Sequence, residues 1–305
     1  MNQRPTARCR ELFPDRIHSV APPHHDSLTG SSEAADRPTV ADLGERPNIA
    51  RVHNYFLGGK DYFADDRLFA HKILELAPRH KRTLHANRAF VTRAARHLVA
   101  RRGVRQLIEV GMGFPVQRNL HQVAQGIDPD ARVVYVDTDP VVLSHARALL
   151  ATNDRVKVVE GQAHDPYGFL NHQNTRELID FTRPVAVVLA GSLQFVPSTA
   201  NPCEAVFQMC GALPPGSYLV LTHPATRPET LLISDLFREH LGGSQPPLAR
   251  EQMTALFRGL ALEPPGVVPV SGWQPDLAPL PGGEAWFYAG VGRIPLRRGE
   301  KEHKA

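Results

Sequence analysis

The chain has 305 residues, 42% of them hydrophobic, and a formal net charge of +4. That length suits one large domain, or one domain with an added cap, and the charge is too mild to require a polyanionic partner. Three cysteines argue against a disulfide scaffold, and Cys203 and Cys210 lie roughly 10 Å apart along one expected helix, too far to bridge, so cysteine usage is read as a reducing, cytoplasmic compartment.

No stretch approaches the roughly 18 apolar residues of a membrane span, and the N-terminus has no apolar core of a secretory signal. Residues 1–40 contain "APPHHDSLTGSSEAADRPTV" (21–40), rich in Pro, Ser, Asp and His, and are expected as a disordered tail. Residues 41–102 are expected as a helical N-terminal cap. Within it 47–100 reads as helical, Pro47 suits a first turn, and Val91, Ala94, Ala95, Leu98 and Val99 recur at helical spacing until Gly103. From 106 the period changes. "QLIEV" (106–110) reads as a strand, "LHQVAQ" (120–125) as a helix, and "ARVVYVD" (131–137) as a strand. Asp139-Pro140 opens a helix through Leu150, with Asp as N-cap. "VKVVE" (156–160), "PVAVVLA" (184–190) and "GSYLVLTH" (216–223) read as further strands, with a helix after Asn201-Pro202. Helices at 228–241 and 249–259 follow, then "GVVPV" (266–270) and "EAWFYAGV" (284–291) as a closing antiparallel pair.

Nearly all-apolar strands alternating with helices mean a parallel sheet covered on both faces. The expected fold is α/β, a Rossmann-like doubly wound sheet over 103–294, mostly parallel with an antiparallel C-terminal strand. Residues 295–305 read as a solvated tail.

Ligands of such sheets bind beyond the carboxyl ends of the strands. "EVGMGFP" (109–115) follows the first strand, and Gly111 and Gly113 let the backbone turn tightly there. Val116 stands where a dinucleotide fingerprint needs Gly or Ala, and no Lys-Ser/Thr follows, so the loop is not built to grip a pyrophosphate. Asp137 ends the second strand, placed to accept from the hydroxyls of a ribose. Gln162 and Asp165 follow the third strand, where Gln162 suits an adenine amino group. "AGSLQF" (190–195) follows the fourth, with Gly191 and Ser192 leaving space and Gln194 offering a polar edge. Met112, Thr138 and Ala163 occupy the same loops. An adenosine site without a pyrophosphate loop points to S-adenosylmethionine, whose ammonium end suits Glu109.

Upstream, "NYFLGGKDYF" (54–63) sets Gly58-Gly59 and Lys60-Asp61 among aromatic residues. Read from chemistry alone it is either a helix C-cap turn with surface charges or part of a lid.

Together with this string, "ARVHNYFLGGKDYFADDR" (50–67), "ANRAF" (86–90), "IEVGMGFPVQRNLHQVAQ" (108–125), "ARVVYVDTDPVVLSHARALL" (131–150), "FTRPVAVVLAGSLQFVP" (181–197) and "PGSYLVLTH" (215–223) carry a resemblance. Over about residues 45–225 the chain resembles the bacterial S-adenosylmethionine-dependent methyltransferase family once catalogued as a domain of unknown function. The resemblance implies a class I methyltransferase fold and S-adenosylmethionine as cofactor, and no particular methyl acceptor. It matches Glu109, Gly111 and Gly113 to the cofactor loop and Asp137 to the ribose-binding acid. Arg51, Tyr55, Gly58, Gly59, Lys60 and Asp61 match the N-terminal signature. The chain departs from the pattern at Gln162 (usually Asp), Gln194-Phe195 (usually His-Phe) and Val116 (usually Thr). The Gln194 departure removes an imidazole from beside the expected methyl.

The signature suggests a lid over the carboxyl edge of the sheet, with Lys60 or Arg51 meeting the methionine carboxylate and Tyr55 packing on the ligand. Candidate bases for the acceptor are Tyr55, His164, Asp165 and His223. Histidines and cysteines form no metal-ligand spacing. The expected partner is a small-molecule acceptor. Two alternatives stand beside it. Residues 79–108 hold nine Lys/Arg and no Asp or Glu through 108, which suits an RNA-binding face; or the chain binds S-adenosylmethionine without catalysis.

Overall fold

The computed structural model describes residues 46–197, 199–241, 244–273 and 286–296. The tail expected at 1–40 lies outside the described residues, as does the 297–305 part of the C-terminal one.

The stretch expected as one helical region resolves into three helices: α1 (Ile49–Phe56), α2 (Ala64–Leu76) and α3 (His80–Arg102). Asn48 caps α1 by accepting from the amides of Ala50 and Arg51. The breaks fall at Gly58-Gly59 and at Ala77-Pro78, and Gly103 closes α3 in the left-handed conformation at φ 65°. Next come β1 (Gln106–Val110), α4 (Leu120–Gln125), β2 (Arg132–Asp137), α5 (Pro140–Leu149), β3 (Val156–Glu160), α6 (Pro166–Asn171), α7 (Gln173–Leu178), β4 (Ala186–Ala190) and a 3-10 turn at Leu193–Phe195. The chain closes with α8 (Pro202–Gly211), β5 (Tyr218–Pro224), α9 (Pro228–His240), α10 (Arg250–Ala255), β6 (Ala261–Leu262), β7 (Val268–Pro269) and β8 (Phe287–Arg293). Asp139 and Asn201 cap α5 and α8 through their side chains, with Pro at the first turn of each, as expected from Asp139-Pro140 and Asn201-Pro202.

The sheet runs β3-β2-β1-β4-β5-β8-β6, with β7 also on β8. Strands β1 to β5 are parallel, and β8 is antiparallel to β5 from Tyr218↔Arg293 to Pro224↔Phe287. Alternation divides each strand between two cores. Leu107, Val133 and Val188 join Phe56, Phe90, Leu98 and Trp273 on one face; Ile108, Val134 and Val187 join Phe169, Met209 and Phe257 on the other. The α1–α3 segment therefore shares a core with the sheet.

Two expectations near the C-terminus are corrected. The 249–259 helix stops at Ala255. The 266–270 strand shrinks to two residues, because Gly266 is left-handed and Val270 enters a 3-10 turn. The short β6 was not anticipated. The strand order reverses between β1 and β4, and this is where the fold leaves a crevice.

Candidate active site

Beyond the carboxyl ends of β1 to β4 lies a cleft of about 370 Å³, lined by Gly111, Gly113, Asp137, Thr138, Gln162, Ala163, His164, Gly191 and Ser192. A smaller chamber of about 70 Å³ adjoins it, lined by Asn54, Asn87, Arg88, Met112, Gln194 and Phe287. Ala50, His53, Gly111, Gly113, Ala190 and Gly191 line both. The strand-end loops thus come together as expected. Gly111 is required at its position: φ is 71°, and a Cβ there would stand 2.4 Å from Ser192 Cβ.

Asp137 sits at the end of β2 and faces the larger chamber, where a ribose-binding acid is expected, but most of its carboxylate is engaged within the fold. Its carboxylate accepts from the amides of Gly113 (2.9 Å), Thr138 (2.8 Å) and Asp139 (3.1 Å). A carboxylate offers about four acceptor positions, so roughly one remains for a ligand. Burial raises its pKa, against the pull of these three bonds. Glu109 is buried on the face of β1 that meets α3, where Arg88 donates to it at 2.9 Å. It is absent from the lining of both chambers; the side chain that reaches the smaller one is its partner Arg88.

The signature stretch is placed differently from the lid expectation. Gly58, at φ 82°, and Gly59 form the C-terminal turn of α1, with their amides donating to the carbonyls of Tyr55 and Asn54. Asn54 Oδ1 accepts from the amide of Asp61, and a Cβ on Gly59 would run into that same Asn54 side chain at 2.2 Å. Lys60 is exposed. Arg51 is buried and donates to Asp66 Oδ2 at 2.7 Å, over the ring of Phe63. The Tyr55 hydroxyl pairs with His71 Nε2 at 3.0 Å. None of Arg51, Tyr55, Gly58, Gly59 and Lys60 lines either chamber. The face of the stretch that does so is Ala50, His53, Asn54 and Leu57.

Of the candidate bases, only His164 lines the larger chamber. Asp165 is exposed and caps α6 by accepting from Gly168. His223 is buried within β5, its pKa lowered to about 4 by burial. His53 was missed. Its imidazole is lowered to about 4 by burial and meets the Phe195 ring edge-on at 5.9 Å. Asn87 and Arg88 were missed as well. Asn87 Nδ2 donates to the Ala190 carbonyl at 3.2 Å, while its Oδ1 is buried without a partner; Ser192 Oγ is likewise unpartnered. One signal was available for α1: 50, 53, 54 and 57 form one helical stripe, whereas 51 and 55 lie on another.

The model for the S-adenosyl methyltransferase family matches residues 37–295. A candidate methyltransferase from Thermobifida fusca is 37% identical, with a TM-score of 0.76, over 82% of this chain and 96% of that one. A DUF574 family protein from Streptomyces avermitilis is 32% identical, with a TM-score of 0.79, over 82% and 98%. Comparison with curated proteins gives no match. Sheet order, strand-end cleft and family match agree: the chain belongs to the S-adenosyl methyltransferase family, with a class I methyltransferase fold and S-adenosylmethionine as its cofactor.

Proposed function

We propose that the protein transfers a methyl group to a small-molecule acceptor, with the adenosine end of the cofactor in the larger chamber and its amino-acid end in the smaller. The observation that carries this reading is the difference between the two chambers. The larger is lined by no Lys or Arg and has Asp137 at its β2 edge, which suits a ribose and a base and not a pyrophosphate. The smaller holds Arg88 beside the unpartnered Asn87 Oδ1. An unmet buried acceptor is costly, and an ammonium donor would satisfy it, while Arg88 suits a carboxylate. Asn87 and Arg88 take the part first given to Lys60 and Arg51.

S-adenosylmethionine supplies an electrophilic methyl on a sulfonium. The chain supplies position. Gly111, Gly113 and Gly191 bring backbone close to the ligand, and α1 covers the junction and excludes water. Gln162 and Ser192 offer hydrogen bonds at the adenosine end.

The RNA-binding alternative loses support from the fate of its charges. Arg88 pairs with Glu109 and Arg102 with Glu263, Arg105 bonds Asp128, and Arg93 donates to the carbonyls of Val270 and Trp273. Three of the nine cations are thereby spent within the fold, and Arg88 turns to the smaller chamber instead of an outer face. Among the described residues no helix is long and apolar enough to cross a membrane.

Calorimetric titration with S-adenosylhomocysteine tests the reading. Micromolar binding by wild type, weakened about tenfold (~1.4 kcal/mol) or more in Asp137→Asn, is expected. No binding by wild type contradicts it.

A further inference from the structure

Six residues line both chambers: Ala50, His53, Gly111, Gly113, Ala190 and Gly191. Only His53 among them has a side chain that can take up a proton. On the proposed placement of the cofactor, the junction is where the sulfonium and its methyl lie. The imidazole touches Phe195 edge-on, and no hydrogen bond occupies its ring nitrogens among the described residues. Phe195 stands in turn against Phe237, at 5.5 Å between centroids. The reactive junction thus has an unengaged imidazole on one side and the Phe195 ring beside it in the larger chamber, with the buried Phe237 backing Phe195 from outside both chambers.

From this geometry we propose that His53 is the catalytic base, and that the methyl acceptor is an aryl hydroxyl. This rests on the methyltransferase reading above. The Phe195 ring takes the flat ring of the acceptor, and the O–H points to the imidazole. The acceptor oxygen gives a lone pair to the methyl carbon, the carbon–sulfur pair stays on sulfur, and the O–H proton passes to the His53 ring nitrogen and then to water. The products are an aryl methyl ether, S-adenosylhomocysteine and one proton. His53 takes the place of the imidazole that Gln194 removes from the strand-end loop.

The charge state of His53 agrees with the class of acceptor. Burial holds the imidazole neutral, and a neutral ring does not repel a sulfonium. The neighbouring His80 of α3, whose pKa His53 lowers further, is itself kept neutral chiefly by burial. So weak a base does not take a proton from a methylated amine, whose pKa is about 10. A phenol differs. Its proton becomes far more acidic as the oxygen gains a third substituent and a share of positive charge, so transfer to His53 becomes downhill within the step.

The test uses phenol and benzylamine as probes of the full chain, on wild type, His53→Ala and His53→Gln. Phenol binding is read by ligand-observed NMR on the chain saturated with S-adenosylhomocysteine, and anisole formation by scintillation on the chain supplied with tritiated S-adenosylmethionine alone. Phenol should bind wild type and weaken about tenfold in His53→Ala. His53→Gln can still accept a hydrogen bond but not a proton, so it should bind phenol and make anisole at least about a hundredfold more slowly. Free imidazole should restore part of the rate in His53→Ala. The proposal is overturned if phenol does not bind, if wild type makes no anisole, if His53→Gln keeps its rate, or if benzylamine is methylated instead. S-adenosylhomocysteine affinity, measured separately on each variant, distinguishes these failures from failure of the methyltransferase reading itself. Unchanged affinity in both variants is expected, and its collapse makes His53 a cofactor wall and ends the base assignment.

Discussion

The cleft has two walls, and they are held by different means. The sheet wall is held by backbone. The amides of Gly111 and Met112 reach the Val136 carbonyl, the Gly161 amide reaches the Asp137 carbonyl, and the Asp137 side chain gathers three more amides. The opposite wall, α1, is held by side chains. Asn48 Nδ2 donates to Asp139 Oδ2 at 2.7 Å, and Arg51 is tied to Asp66. Asp66 also accepts from the amides of Asn48 and Phe63. A wall built of ladder bonds changes little with one substitution. A wall that hangs on one buried carboxylate does not have that tolerance.

The most damaging way to break the comparison is Asp66→Ala. It leaves the buried Arg51 guanidinium without its anion, and removing one partner of a buried pair costs about 3–5 kcal/mol. The midpoint in urea should fall accordingly, with weaker S-adenosylhomocysteine binding and an unchanged strand content. A cost below about 1 kcal/mol would show that α1 does not depend on this pair.

Acid sharpens the same contrast. His80, at the start of α3, is 5% exposed, packs edge-on against Phe56 of α1 and is lowered to about 3, chiefly by burial and next by the charge of His53. Its unfolded pKa is about 6.5, so above that pH neither state binds the proton and stability does not change. Below it the unfolded chain takes up a proton that the native state refuses. Stability then falls by up to about 1.4 kcal/mol per pH unit for this imidazole, until pH approaches its native value. His80→Leu should flatten the slope of stability between pH 6 and 4 by about that amount. An unchanged slope contradicts the buried neutral state.

The sheet wall was legible in sequence because its signals are local. Apolar runs ending in Gly or Asp mark strand ends, and Asp139-Pro140 and Asn201-Pro202 mark helix starts. The α1 wall was legible only in part. The stretch 50–67 stands out in sequence, but its pattern points to Arg51 and Tyr55 and not to His53 and Asn54. An eight-residue helix has two candidate stripes, and only tertiary packing shows which one faces the cleft. Glu109 was misplaced for a related reason. Its direction follows from strand alternation, but its pairing with Arg88, 21 residues upstream, is a contact between elements.

In the proposed orientation the cofactor's amino-acid end lies at Asn87 and Arg88. The most direct measurement compares two ligands on wild type and Asn87→Ala: S-adenosylhomocysteine, and 5′-methylthioadenosine, which lacks the amino-acid end. Asn87→Ala should weaken S-adenosylhomocysteine about tenfold, the worth of one charge-assisted hydrogen bond, and leave 5′-methylthioadenosine within about twofold. Equal losses for both ligands, or none for either, would contradict that orientation.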